Sequence, residues 1–516
     1  MVNRVRTGTP HRRVKATGWQ HIALGVALTS VSVPVAADNL NWTLTPRVTL
    51  GAEITDNARL APRGDESSDL IGQVTPGFTL RGEGARTTVN VNYSWNNRFY
   101  LDDSREDRST HRLFARGTTE LVPETFFVDA NASRTQGAAS LLGPVGVGDT
   151  TPRDNLQETT RYGVSPYLRT RYGRFAQQEI RYGYDEVRYH RSGRGGSHVH
   201  SASYRLDSGP AFNRPFWQLA GDYEDERFDD GGSGQFGSVS ATAGYRFSRF
   251  FQAFVVGGQE FNDYLSARDD VDDTFWEVGA TWSPTRATSI EGRYGERFFG
   301  KTRSLAATHA SRRASYRLSY SESITSTRGR AGPRLQEMAN MAGFDSVDEL
   351  LADEGFQQAI DLFGFDAVMG LFGLEDEALI ENYFFVQSWR GAWQYQTGRS
   401  TFRVTGFHTR REAEAETGLG LFDDDRETRG GTAAWTWSWG PRTDSTLSTS
   451  FVRTDFRSDT QEDRQDDYWN IRASVGRDLT PSARATLAYR HQQRESNERA
   501  NEYRENAVIA TLTKEF

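Results

Sequence analysis

The chain has 516 residues, a formal net charge of −8 and 25% charged residues, yet it carries 31 Phe, 20 Tyr and 12 Trp. A mean hydropathy of −0.67 together with that aromatic content excludes a wholly disordered chain, and no apolar run of membrane-helix length follows residue 40, which excludes a helical membrane bundle. Cysteine is absent, so disulfide scaffolds, thiolate metal sites and cysteine nucleophiles are excluded as well.

Taken in chain order, residues 1–37 read first as a secretory signal peptide. Arg4, Arg6, Arg12, Arg13 and Lys15 form a basic start without an acid, Ile22 to Ala37 are almost wholly apolar or small, and Val35-Ala36-Ala37 supplies a small-x-small cleavage site. No Cys follows, so the chain is not a lipoprotein. Removing the five positive charges takes the formal charge from −8 to −13, a balance that disfavours nucleic acid as a partner.

Period-two patterning then begins. Val89, Val91, Tyr93 and Trp95 alternate with polar residues, and Val239, Ala241, Ala243, Tyr245 and Phe247 repeat the pattern. Phe385, Trp389, Trp393 and Tyr395 share a face, as do Trp435, Trp437 and Trp439. Each run describes a strand with one apolar and one wet face. The connections alternate too. Short turns are marked by residues 82–84, Pro123, Gly173, 210–215, 248–249, Pro284, 312–313, Gly398, Pro441 and Pro481, and longer polar stretches lie between them at 55–69, 101–108, 135–157, 262–273, 411–427, 455–466 and 494–501. Long loops on one side and short turns on the other are how an outer-membrane barrel is strung. Residues 38–516 are therefore expected to form a large all-β, single-chain transmembrane antiparallel β-barrel of about 22 strands, within a range of roughly 18 to 24. A closed barrel is the β-structure that satisfies every backbone group in lipid, and strand-borne Tyr and Trp fit its interfacial girdles. The bacterial outer membrane is the compartment this implies, with its lipid and lipopolysaccharide as surroundings.

Residues 329–382 break the pattern. Twelve acids and no Lys, Arg or His occur over 335–389, and Ser346-Val347-Asp348-Glu349 reads as a capping box ahead of Leu350, Leu351, Phe356 and Ile360. Two or three short helices on the extracellular side are expected, serving either as a lid with a cation-attracting surface or as a helical excursion packed on the rim.

Inward-facing charges are the most informative candidates. Glu179, Arg181 and Asp185 fall on one face of a strand, and Arg246 and Arg390 occupy the polar faces of theirs. They would form charged ladders across the wall or line a passage. His190, His198 and His200 cluster near a Gly-rich turn, but no further ligands complete a metal site, and an exposed hairpin explains them better. Asp423-Asp424-Asp425 and Asp269, Asp270, Asp272 and Asp273 lack the spacing of an EF-hand loop; solvated loops are the plainer reading, with a divalent bridge to lipopolysaccharide still open. No nucleophile signature is present, so no catalytic, cofactor or resident metal residue is assigned. The terminal Phe516, preceded by Leu512, Ala510 and Val508 on alternate positions, resembles the signal read by the barrel-assembly machinery, with Lys514 departing from it.

The run Trp42-Thr43-Leu44-Thr45-Pro46 and the later Ala314-Ser315-Tyr316-Arg317-Leu318-Ser319-Tyr320-Ser321-Glu322 resemble the PEP-CTERM-system-associated outer-membrane proteins of Gram-negative, exopolysaccharide-producing bacteria. The resemblance implies a barrel linked to exopolysaccharide or matrix export, with polysaccharide-export components as partners and no catalytic residue to carry over. A channel or export-associated protein is the leading expectation. A plugged structural or adhesive barrel is the alternative, and an outer-membrane enzyme ranks behind both.

Overall fold

A computed structural model describes residues 40–139, 143–146, 150–190, 196–229, 231–268, 270–326, 383–414, 425–457 and 463–516. The expected signal peptide and the expected helical insertion lie outside these residues. Among the described residues there is no α-helix, only three single-turn 3₁₀ segments at Ser104–Glu106, Arg153–Asn155 and Arg499–Asn501.

Twenty-two strands follow one another. The first eight are β1 (Asn41–Thr55), β2 (Asp69–Glu83), β3 (Thr87–Tyr100), β4 (Arg108–Val122), β5 (Phe126–Ala138), β6 (Leu156–Tyr172), β7 (Ala176–His190) and β8 (Ser197–Ser208). Next come β9 (Pro215–Phe228), β10 (Ser233–Arg246), β11 (Phe251–Asp263), β12 (Thr274–Thr285), β13 (Thr288–Arg297), β14 (Gly300–Ala310) and β15 (Ala314–Ser326). The last seven are β16 (Tyr383–Gln396), β17 (Ser400–Ala413), β18 (Asp425–Gly440), β19 (Thr443–Arg457), β20 (Arg464–Thr480), β21 (Ala483–Ser496) and β22 (Tyr503–Glu515).

Each strand pairs antiparallel with its sequence neighbours, and β1 pairs with β22 from Arg47↔Glu515 to Thr55↔Ala507, which closes the barrel. The even count returns both strand ends to the side of the short turns, the periplasmic side of such barrels. Tight connections there include residues 84–86, 123–125, 286–287, 441–442 and 481–482. At the 173–175 turn Gly173 sits at φ +58°, a backbone region that glycine enters without the Cβ clash. The opposite side carries the longer connections 56–68, 139–155 and 264–273, but also two short ones, 229–232 and 298–299.

The alternation sorts side chains as the period-two pattern requires. In β1, Trp42, Leu44, Leu50 and Ile54 point to the lipid, Ile54 at 64% exposed, whereas Arg47, Thr49, Glu53 and Thr55 between them are buried, Glu53 at 5%. Trp95, Val239, Tyr245, Trp389, Trp435 and Trp439 are all exposed outward residues. The apolar rind and polar interior make this an outer-membrane β-barrel. Among the described residues, apolar packing includes a rim cluster of Phe228, Tyr264 and Tyr383 and a small one of Ala488, Ala507 and Ile509 on β21 and β22.

Candidate functional site

The inward wall of β5 to β7 carries a charged ladder. Glu179, Arg181 and Asp185 share the inward parity of β7, opposite the exposed Ile180 and Tyr182. Arg169 of β6 donates to Glu179 at 2.9 Å, Arg181 reaches Asp129 of β5 at 2.7 Å, and Arg161 of β6 binds Asp185 at 3.0 Å. Tyr167 stacks on Phe127 at 4.9 Å, and the Arg181 guanidinium lies 3.8 Å from the Tyr167 ring centroid. The three β7 residues are thus brought together, each with an oppositely charged partner. Arg246 stands apart at the periplasmic end of β10, over the Phe216 ring at 4.6 Å and donating to the Phe212 carbonyl at 3.3 Å. Arg390 stands apart too, half-buried on β16, in register with Ser319 and Phe407.

A second and more deeply buried network spans the closure of the barrel. Glu53 of β1 receives Arg98 of β3 at 2.8 Å and Arg490 of β21 at 2.5 Å. Arg490 also binds Glu505 of β22 at 2.6 and 3.1 Å, and Glu505, 1% exposed, accepts from Gln492 and from Thr55, each at 2.9 Å. Just above, Asp466 of β20 is held by Arg464 at 2.6 Å and Arg494 at 2.7 Å.

This wall is covered by the extracellular connection between β5 and β6, which folds onto it. Arg494 donates to the Gly143 carbonyl at 2.7 Å and Tyr503 to the Val145 carbonyl. Gln492 donates to Thr150 Oγ1 at 3.2 Å, and Arg108 of β4 to the Thr151 carbonyl at 2.6 Å. The β1–β2 connection joins in through Leu60, 2% exposed and beside Gly146. The Gly143 and Thr151 carbonyls therefore meet charged donors of the wall, which are the stronger hydrogen bonds available to them.

A third cluster closes the extracellular rim over β12 to β14. Glu226 of β9, 1% exposed, accepts from Ser326 at 3.1 Å and from Tyr383 at 3.2 Å. A Cβ on Gly234 of β10 would overlap the Tyr383 ring, so glycine is what lets β10 and β16 approach. In the β11–β12 loop, Arg268 grips Glu414 with two bonds of 2.7 and 2.9 Å, and Tyr264 donates to Glu414 at 3.2 Å. The Glu414 carboxylate holds the Arg268 guanidinium more firmly protonated than usual. Burial first, and the Glu414 charge second, push the Tyr264 hydroxyl well above the ordinary phenol range, so it stays a neutral donor.

The remaining candidates are peripheral. His198 and His200 face outward near the extracellular end of β8, where His200 pairs with the Tyr182 hydroxyl at 2.6 Å, and His190 meets Thr160 at 3.1 Å. Asp269, Asp423 and Asp424 lie outside the described residues. Asp270, Asp272, Asp273 and Asp425 accept backbone amides of their own or adjacent segments. Phe516 is 72% exposed, and its amide donates to the Pro46 carbonyl at 3.0 Å. Sequence reasoning missed the closure network, since Glu53 and Arg490 are 437 positions apart. The usable signal was that Arg472, Arg490, Arg494, Asp466 and Glu505 all take the parity opposite the lipid-facing Trp469, Ile471, Leu487, Tyr489, Val508 and Leu512.

No protein-family model and no curated protein matches the sequence. Solved structures do match. The FrpB iron transporter of Neisseria meningitidis in its apoprotein form superposes with a TM-score of 0.53 at 9% identity, covering 92% of this chain and 81% of that one. A ferric enterobactin receptor (PfeA) of Pseudomonas aeruginosa gives 0.51 at 9% identity over 92% and 80%, and the siderophore receptor PirA of Acinetobacter baumannii 0.50 at 7% over 92% and 81%. The chain has the fold of an outer-membrane receptor barrel. At these identities the likeness concerns the fold alone.

Proposed function

We propose that the barrel passes polar, saccharide-like solutes across the outer membrane in the service of exopolysaccharide or matrix export, with the inward-folded β5–β6 connection as its constriction. The observation that carries this reading is the loop clipped to the closure wall by Arg494, Tyr503, Gln492 and Arg108. A cylinder of this strand number encloses more space than its wall side chains fill, and a loop anchored inside it narrows that space. The inner wall offers paired ions, hydroxyls and aromatic rings flanked by arginine, such as Phe216 with Arg246 and Phe254 with Arg293. Balanced charge, hydroxyls and rings suit neutral polyhydroxylated solutes better than a strongly charged ion. The resemblance of residues 42–46 and 314–322 to barrels of exopolysaccharide producers supplies the export context, and polysaccharide-export components are the partners it suggests. The transporters and receptors of like fold, whose names specify iron or siderophores, support transport as the general task. Phe516 would present the last strand to the barrel-assembly machinery.

Liposome swelling with sugars of graded size tests the reading. Swelling with a sharp size limit is the expected result, raised to larger sugars in an Arg494→Ala/Tyr503→Phe variant. Absence of swelling and of single-channel conductance in both proteins would favour the plugged structural barrel.

A further inference from the structure

One wall of the barrel is not fully zipped. Pairing between β14 and β15 covers only six positions, from Ala310↔Ser315 to Leu305↔Tyr320, the shortest of the 22 ladders. Both strands continue toward the extracellular side with their other neighbours, β14 to Gly300↔Arg297 on β13 and β15 to Ser326↔Tyr383 on β16. Above Leu305 the ladder position is taken by a side chain: the Glu322 carboxylate accepts the Arg303 amide at 3.0 Å. Tyr320, its ring tilted against that of Trp389 at 4.4 Å between centroids, donates to the same carboxylate. The parted arms, Gly300–Ser304 and Ser321–Ser326, run about 16 Å along the strands, on the scale of the outer half of an apolar band about 25 Å tall.

Unladdered main chain is costly against lipid and is tolerated where it lines a wet cavity. The flanking strands are also short, and β13 and β14 are joined by only residues 298–299. Rings stand at the top of the gap, with Phe299 against Phe385 at 5.3 Å and Phe298 and Ile324 against the rim cluster. Ser319, Ser321 and Ser323, on the inward parity of β15, are exposed, and Lys301, Arg303 and Glu322 take the outward parity. Such charged edge residues discourage pairing with a strand of another protein.

We infer that the β14–β15 seam is a lateral portal between the lumen and the outer leaflet, taking the apolar chain of an amphiphile whose polyhydroxylated head rests on the serine-lined inner wall. The portal goes beyond the proposed passage of polar solutes, and the experiment below reads access from the bilayer rather than conductance, so each idea can fail alone.

The chain has no cysteine, so an introduced thiol is unique. Full-length S321C and T446C are reconstituted in vesicles; Thr446 is an inward residue of β19 whose ladders with β18 and β20 are complete. Both are treated with N-hexadecylmaleimide dissolved in the bilayer, and each rate is normalised to a small water-soluble maleimide. The expected result is labelling of S321C at least about tenfold faster than T446C, since a complete ladder keeps lipid-borne chains out. An octadecyl glucoside doped into the vesicles slows S321C labelling in proportion to its dose and leaves T446C unchanged. Equal normalised rates mean a sealed wall and overturn the portal. Fast labelling that is untouched by the glucoside overturns the amphiphile and leaves the open edges to a strand-donating protein. Unchanged heat-modifiable migration on gels checks that each variant is folded.

Discussion

Arg490 is the keystone of the closure network, and Arg490→Ala tests whether that network holds the terminal strands together. The guanidinium gives two charge-assisted bonds to Glu505 and one to Glu53, with its side chain 4% exposed. At about 1.5–3 kcal/mol per bond to a charged group, simple addition exceeds 4 kcal/mol. Two effects reduce that sum. Glu53 keeps Arg98, while Glu505 keeps Gln492 and Thr55, and the arginine's own desolvation penalty is removed with it. Breaking a buried ion pair from one side costs about 3–5 kcal/mol, and that is the expected loss. The double variant Arg490→Ala/Glu505→Gln removes one stranded charge and should recover about 1–2 kcal/mol, within the usual coupling between contacting residues. The assay is urea unfolding in lipid vesicles, followed by tryptophan fluorescence and heat-modifiable gel migration. A single variant within about 0.5 kcal/mol of the parent, in the range of ordinary surface changes, would refute the reasoning. So would a double variant no more stable than the single one.

Further outcomes follow from the assignment of faces and loops. Ile471, mid-strand on β20 and facing lipid, should lose about 2–4 kcal/mol on Ile471→Arg, whereas Ser474→Arg on the inward parity of the same strand should change stability little; equal losses in vesicle unfolding would mean that the faces are misassigned. Glu414→Gln weakens the grip on Arg268, so trypsin cleavage after Arg268 in intact vesicles should accelerate on the order of tenfold, a loss of about 1.4 kcal/mol; an unchanged rate would show that the β11–β12 loop is held by other contacts. Deleting Phe516 should lower the fraction of heat-modifiable barrel in cells and leave the melting of the assembled fraction unchanged, because the ring is exposed and packs little.

The faces of the strands were legible because a barrel wall has only two environments. Trp435, Trp437 and Trp439 cannot alternate with Thr436 and Ser438 unless lipid lies on one side, and all three point outward. Turn chemistry was equally open to reading: Pro123, Gly173, Pro441 and Pro481 all fall at or beside periplasmic connections. The interior was less legible. Glu179, Arg181 and Asp185 could be placed on one face from their own strand, but their partners Asp129, Arg161 and Arg169 depend on the register of β5 to β7. The two-residue connection at Phe298-Phe299 carries no polar loop signal, since both residues are rings between Arg297 and Gly300. The seam leaves only a faint mark in sequence. Glu322 interrupts the apolar parity of Leu318, Tyr320 and Ile324 at a single position, and where a ladder stops is a property of two strands at once.

The barrel is asymmetric, and the asymmetry bears on where it can move. From β20 round to β4, ion pairs cross three strands at a time and the β5–β6 connection is pinned over them, so opening that side would expose paired charges and break several charge-assisted bonds together. From β12 to β15 the strands are shorter, the β14–β15 ladder stops at Leu305↔Tyr320, and the rim above is closed by rings and by the bonds from Ser326 and Tyr383 to Glu226. The two sides therefore differ in what a fluctuation must break: a buried ion-pair network crossing the strands of the wall on one, and on the other a rim cluster in which the Arg268–Glu414 pair is joined by neutral-donor hydrogen bonds and ring contacts. Local opening is drawn from the region of least cooperative contact. A solute or amphiphile that widens the barrel should consequently move the β12–β15 wall first. Amide exchange should report this as faster opening of Gly300–Ser304 and Ser321–Ser326 than of Arg490–Arg494. The reverse order would place the flexible wall at the closure and remove the basis for a lateral portal.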